Sequence, residues 1–219
     1  MIALFDIGST LIEGPSYGPA RRLAEMLNLD KSSAPQVERL LFRTPSESAE
    51  HLAHHIAEEL GIDRALAASK CAELWNAQLT EAYVLPGAQE AVASLKAAGI
   101  PRAYLSNIWP PFYECFRQTF SCEAQAPQFL SFRLGLMKPD KEFFLRALRT
   151  LDTPPENVVM IGDTYRNDIR PAIELGMRTI WVLHRPDKER DALVDVLNGT
   201  APPPHRTIRS IADLKPELL

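Results

Sequence analysis

The chain has 219 residues, 46% of them hydrophobic, and a formal net charge of −4, enough for one large domain or a core with a smaller insert. No Lys- or Arg-rich run is present, which argues against nucleic acid as a partner. No apolar stretch approaches the roughly 20 residues that span a bilayer, and the first residues lack a signal-peptide pattern, so a cytoplasmic protein without a membrane partner is expected, either monomer or homodimer.

Residues 2–6 (Ile-Ala-Leu-Phe-Asp) read as a short buried strand. Residues 15–84 then change character. They are rich in Ala, Leu, Glu and Arg, and Leu23, Met26 and Leu27, like Leu52, Ile56 and Leu60, fall on one helical face. Thr44-Pro45-Ser46-Glu47 has the form of a capping box with Pro at the first helical position, so a helix is expected to start there and to end at Gly61. The block predicts about four helices and no strand. From residue 85 the pattern alternates. Helices are expected over about 88–98, 110–119, 141–150, 166–175 and 187–197, with strands at 102–106, 129–132, 157–161 and 178–183, an edge strand at 206–208 and a last helix after it. Alternating strands and helices imply a doubly wound α/β fold with a parallel sheet. The expected division is a core of residues 1–14 and 85–219 and an inserted all-helical unit of residues 15–84. Cys71, Cys115 and Cys122 form no C-x-x-C pair and are expected to be reduced, buried or half-buried thiols.

Chemistry-bearing residues recur where apolar runs give way to turns. They are Asp6 in Phe5-Asp6-Ile7-Gly8-Ser9-Thr10, Ser106-Asn107 after Ala103-Tyr104-Leu105, Lys138-Pro139-Asp140, and Gly162-Asp163-Thr164 followed by Asn167-Asp168. In an open α/β sheet those points are the carboxyl ends of parallel strands, where ligands bind. Residues distant in the chain can therefore meet at one edge as a carboxylate nucleophile, a hydroxyl, a cation and an acidic pair suited to a hard metal ion.

In that order and spacing these residues resemble the haloacid dehalogenase-like hydrolase superfamily, most of whose members are Mg²⁺-dependent phosphatases. The resemblance covers nearly the whole chain and implies a Rossmann-like core with a helical cap placed after the nucleophile. It casts Asp6 as the nucleophile that forms an aspartyl phosphate, with Thr10 supporting its loop. Thr10, Ser106, Asn107 and Lys138 contact the phosphoryl group of a small phosphorylated substrate. Asp6, the carbonyl of Gly8, Asp163 and Asp168 hold Mg²⁺.

One position departs. The family's phosphatases usually carry a second Asp two residues after the nucleophile, where this chain has Gly8. The usual general acid is then missing, and such catalysis supplies roughly 10²–10⁴-fold. The alternatives are that the cap supplies another acid, that the substrate needs none, or that the protein is a weak enzyme or a non-catalytic phosphate binder. The family also contains hydrolases of C–halogen and C–P bonds, and the latter use a cap lysine; Lys31 and Lys70 are the only lysines of the insert. Asp-Ile-Gly-Ser-Thr also resembles the first phosphate loop of the actin and sugar-kinase fold, which lacks a counterpart of Lys138-Pro139-Asp140. His51, His54 and His55 have helical metal-binding spacing but read as a polar helix face. The run of Trp109, Phe112 and Tyr113 reads equally as pocket wall, dimer contact or packing.

Overall fold

A computed structural model describes residues 1–219. In chain order the strands are β1 (Ile2–Phe5), β2 (Ile12–Glu13), β3 (Tyr83–Val84), β4 (Arg102–Ser106), β5 (Gln128–Leu130), β6 (Val158–Gly162), β7 (Arg178–Val182) and β8 (Arg206–Ile208). The helices are α1 (Pro19–Met26), α2 (Ala34–Arg43), α3 (Ala49–Leu60), α4 (Arg64–Glu81), α5 (Ala88–Ala97), α6 (Pro110–Thr119), α7 (Ser131–Leu134), α8 (Lys141–Leu151), α9 (Arg170–Glu174) and α10 (Arg190–Leu197). No helix is long and apolar enough to cross a membrane.

Six strands form one parallel sheet in the order β5-β4-β1-β6-β7-β8. Its inner strands are apolar on both faces because helices cover both. Successive side chains of a strand point to opposite sides. Ala3, Phe5, Tyr104, Val159 and Ile161 therefore pack into one apolar cluster with α5 and α6. Leu4, Ala103, Leu105, Val158 and Met160 pack into another with α8. β1 lies between β4 and β6, where the strand order changes direction, and such a switch point opens a crevice at the carboxyl edge. The residues that follow β1, β4 and β6 are thus neighbours across that crevice.

Helices α1 to α4 bury their own apolar cluster, including Leu23, Val37, Leu41, Leu52, Ile56 and Leu74. Trp109, at the start of α6, is the one member of that cluster from outside the helical block. It stacks edge-on against Trp75 at 5.6 Å, and its indole N–H donates to Gln78 at 3.3 Å. The chain leaves and rejoins the sheet region through a short antiparallel pair, with Ile12 opposite Val84 and Glu13 opposite Tyr83.

Four local expectations are corrected. Thr44 does not start a helix. It ends α2, whose last turns bury Leu41, and α3 starts at Ala49 with the Ser48 hydroxyl accepting from the His51 N–H at 3.2 Å. The expected helix over 166–175 opens as a five-residue π turn, Tyr165–Ile169, closed by the Arg170 N–H on the Tyr165 carbonyl, and α9 follows with Pro171, which has no N–H to give, near its start. The expected last helix is two short 3₁₀ turns, Ile211–Asp213 and Pro216–Leu218. Of the cysteines, Cys122 is exposed rather than half-buried, and all three are free.

Candidate active site at the carboxyl edge of the sheet

Asp6 lies just beyond β1, almost fully buried, and its amide is fixed by the Ile161 carbonyl at 2.9 Å. The loop after it turns sharply through Ser9, whose φ of 56° lies in the left-handed region, and this brings Thr10 back so that its hydroxyl donates to Asp6 Oδ2 at 3.3 Å. Lys138 arrives on the segment between α7 and α8. Its Nζ is 2.6 Å from Asp6 Oδ1 and 2.5 Å from Asp168 Oδ1. Asn107 clasps the Lys138 backbone on both sides, accepting from its N–H at 2.7 Å and donating to its carbonyl at 2.8 Å.

Asp163 follows β6, and Asp168 sits in the π turn, a feature often found at functional sites. Asp168 Oδ2 accepts from the Thr164 N–H at 3.0 Å. Gly162 makes this arrangement possible, because a Cβ there would stand 2.5 Å from the Asp168 Cβ. Gly162→Ala should push the Asp168 carboxylate out of place and cost about 1–3 kcal/mol, as overpacking does; urea unfolding of the variant checks this.

Carboxylate oxygens of Asp6, Asp163 and Asp168 lie within 4.8 Å of one another. Burial raises the Asp163 carboxyl well above its ordinary value, and the Asp168 charge adds to this against the pull of Arg185. Burial also pushes Asp168 up to about 6, with Lys138 opposing and Asp6 adding. Burial works against charge on Lys138 too, but Asp168 and Asp6 outweigh it and hold the ammonium above its ordinary value. Fully ionised, the three carboxylates would outweigh the Lys138 ammonium, and the raised Asp163 and Asp168 carboxyls reflect that crowding. All-oxygen, buried, clustered donors are what a hard divalent cation such as Mg²⁺ takes, so these residues fit one.

A second cation reaches this edge that the motif reading does not include. Arg185, beyond β7, pairs with Asp163 Oδ2 and lies 3.4 Å from Glu13 Oε2. Burial alone would raise the Glu13 carboxyl, but the His184 hydrogen bond, the Arg185 charge and the Gly14 and Ser9 donors together hold it down at about 2. Arg185 lies two residues beyond the apolar run 180–183, near the carboxyl end of β7 as Asp163 lies near that of β6, so the strand-end rule applied to β7 would have found it.

These groups face a cavity of about 280 Å³ whose walls come from both the sheet edge and the helical block, among them Asp6, Gly8, Asn107, Lys138, Asp163 and Asp168. Thr10 and Ser106 do not line it. Both are fully buried, so Thr10 touches Asp6 rather than a substrate, and the Ser106 hydroxyl has no hydrogen-bond partner. The expected phosphate contact of Thr10 is corrected accordingly. Trp109 and Phe112 line the cavity, whereas Tyr113 is core, its hydroxyl donating to Gln128 at 2.7 Å. Glu38 of α2 also lines it, its carboxyl raised chiefly by burial. His51, His54 and His55, and the insert's lysines Lys31 and Lys70, do not.

A family model described as HAD-hydrolase-like matches residues 136–214. A haloacid dehalogenase-like hydrolase domain-containing protein 2 of Mus musculus is 42% identical over 73 residues, 33% of this chain and 26% of that protein. A phosphoserine phosphatase of Thermus thermophilus is 31% identical over 101 residues, 44% of this chain and 39% of that protein. The chain thus spans about a quarter of the first of these relatives and two fifths of the second. Among solved structures, the putative HAD-hydrolase YfnB of Bacillus subtilis, bound to magnesium, superposes with a TM-score of 0.59 at 19% identity, covering 97% of this chain and 96% of that one.

Proposed function

We propose, for a chain that belongs to the haloacid dehalogenase-like hydrolase superfamily, that it is a Mg²⁺-dependent phosphatase acting on a small phosphorylated metabolite through an aspartyl phosphate on Asp6. The observation that carries this reading is the placement of Asp6 in a cavity wall with the Lys138 ammonium 2.6 Å away and Thr10 behind it. An ionised, oriented carboxylate is the nucleophile this chemistry needs. Lys138 orients it and offsets charge on the transferring group, and Asn107 fixes Lys138 through its backbone. Ser106, at the carboxyl end of β4 and next to Asn107, is proposed to bond a phosphoryl oxygen, since its hydroxyl is unpartnered.

Asp6, Asp163, Asp168 and the Gly8 carbonyl would hold the Mg²⁺ ion, which when bound supplies charge compensation for the phosphoryl oxygens. Residues 15–84 are proposed as the cap and residues 1–14 with 85–219 as the core; the shared cavity supports that division. Millimolar Mg²⁺ should raise the thermal midpoint, by linkage worth about 2.7 kcal/mol at a hundred times Kd, and Asp163→Asn or Asp168→Asn should blunt the rise in a thermal-shift assay.

Gly8 favours a second reading, a non-catalytic or weakly active phosphate binder. The absence of Lys31 and Lys70 from the cavity lining gives no support to a Schiff-base route to C–P cleavage. The deciding experiment is a screen of phosphate esters with and without Mg²⁺ beside Asp6→Asn. Mg²⁺-dependent phosphate release that the variant lacks supports the phosphatase. Binding without release supports the second reading.

A further inference from the structure

Phe112, on the first turn of α6, touches both large apolar clusters, the one on the sheet and the one within the helical block. Its ring stands beside two glycines of the chain that follows Asp6. A Cβ on Gly8 would lie 3.9 Å from ring atom Cε1, and one on Gly14 would lie 2.9 Å from Cε2. Gly8 is the position two residues after the nucleophile. A Cβ there would be in ordinary van der Waals contact with the ring, so Phe112 is an immediate neighbour of residue 8. Phe112 also lines the cavity that Asp6 faces, near Trp109 and Ile108.

We propose that Phe112 is a specificity-determining residue of this site: its ring, beside Gly8 in the wall of the cavity that Asp6 faces, gives the leaving group an apolar aromatic surface. The substrate class this selects is phosphate monoesters of acidic, flat hydroxyl groups, that is, aryl or enol esters, over alkyl esters. The proposal rests on the phosphatase reading and deepens it.

The chemistry balances without an acid. The Asp6 carboxylate forms a bond to phosphorus as the bond from phosphorus to the leaving oxygen breaks. That oxygen keeps the electron pair and departs as an aryloxide, which takes its proton from water. A second water then attacks phosphorus, the bond to Asp6 breaks, the carboxylate is restored, and inorganic phosphate leaves with the remaining proton released to solvent. An aryloxide tolerates this departure and an alkoxide does not. The ring supplies stacking to the same class of leaving group, since aromatic pairs prefer offset or edge-on contact.

The test compares kcat/KM for phenyl phosphate and glycerol 2-phosphate in the wild type and in Phe112→Leu, Phe112→Ala, Gly8→Asp and the double variant Gly8→Asp/Phe112→Ala. The wild type should favour the aryl ester by roughly the 10²–10⁴-fold that acid catalysis supplies. Phe112→Leu, which keeps apolar volume without the ring, should raise KM for phenyl phosphate by roughly 2- to 10-fold, as loss of an aromatic contact predicts, and raise that for glycerol 2-phosphate less. Gly8→Asp, which adds an acid beside the ring, should narrow the aryl preference, and adding Phe112→Ala should narrow it several-fold further. An aryl preference unmoved by Phe112→Leu and Phe112→Ala overturns the proposal, as does a Gly8→Asp variant that narrows it as fully as the double. Efficient alkyl turnover that Glu38→Gln removes would identify Glu38 as the acid and overturn it as well.

Calorimetric binding of the two esters to the Asp6→Asn protein, with and without Phe112→Leu, needs no turnover. A wild type inactive on both esters defeats the phosphatase reading, whereas equal binding of phenyl phosphate with and without the ring defeats the aromatic wall.

Discussion

Asp6→Asn should give a folded protein whose turnover of phosphate esters falls by roughly 10⁴–10⁶-fold, the scale of removing a covalent nucleophile. The fold should survive because Asn has the shape of Asp: its one amide oxygen can still accept from Lys138, which lies 2.6 Å from Asp6 Oδ1, and its NH2 can donate to the Thr10 hydroxyl, which in the wild type donates to Asp6 Oδ2 at 3.3 Å. The amide cannot attack phosphorus as a carboxylate does. One negative charge also leaves a buried group of three, so the variant should be at least as stable as the wild type without added metal. Steady-state kinetics and a urea curve on the same preparation check both parts. A variant that retains a tenth of wild-type turnover would place the nucleophile elsewhere.

Lys138→Met should cost about 3–5 kcal/mol of stability at pH 7, the range for breaking a buried ion pair on one side, and should lower kcat by roughly 10²–10³-fold through lost charge stabilisation. Met keeps an apolar stem close to that of Lys138 and removes the ammonium with its two hydrogen bonds. Asp6 and Asp168, both buried, are then left facing each other and Asp163 without the ammonium. The loss should depend on pH with a definite sign. The Asp168 carboxyl stands at about 6 against an ordinary 3.8, so the folded state takes up a proton before the unfolded chain does. Its contribution to stability is fully present below about 3.8 and is lost as pH rises through about 6. Without Lys138 the carboxyl rises further. The gap between variant and wild type should therefore shrink as pH falls from 7 toward 5, as urea midpoints across that range would record. A gap that stays constant with pH would mean that the damage is packing rather than charge.

Much of this site could be read from residue types and spacing because the sheet does most of the placing. Asp6, Lys138, Asp163 and Asp168 each follow an apolar run or a loop of recognisable form, and a parallel sheet brings such points to one edge. In the structure Lys138 reaches both Asp6 and Asp168. Side-chain direction was less legible. Thr10 and Ser106 have plausible chemistry, but their burial depends on how the loop turns at Ser9 and how tightly β4 packs, which spacing does not report. Phe112 could not be placed at all from its neighbours in sequence, because its contact with Gly8 and Gly14 is made by the docking of α6 across the loop after β1. Ser48, not Thr44, caps α3 for a similar reason. Two capping patterns compete locally, and burial of Leu41 by the last turns of α2 decides between them.

Phosphorylation of Asp6 during turnover is the step on which the proposed phosphatase activity depends. The direct measurement is to quench the protein with acid during hydrolysis of phenyl phosphate in Mg²⁺, reduce it with borohydride, and sequence the amino-terminal peptide by mass spectrometry. An acyl phosphate on Asp6 is reduced to homoserine, so the account predicts homoserine at position 6 in the wild type and none in Asp6→Asn or in protein quenched without substrate. Steady release of phosphate with residue 6 recovered only as unmodified aspartate would contradict it.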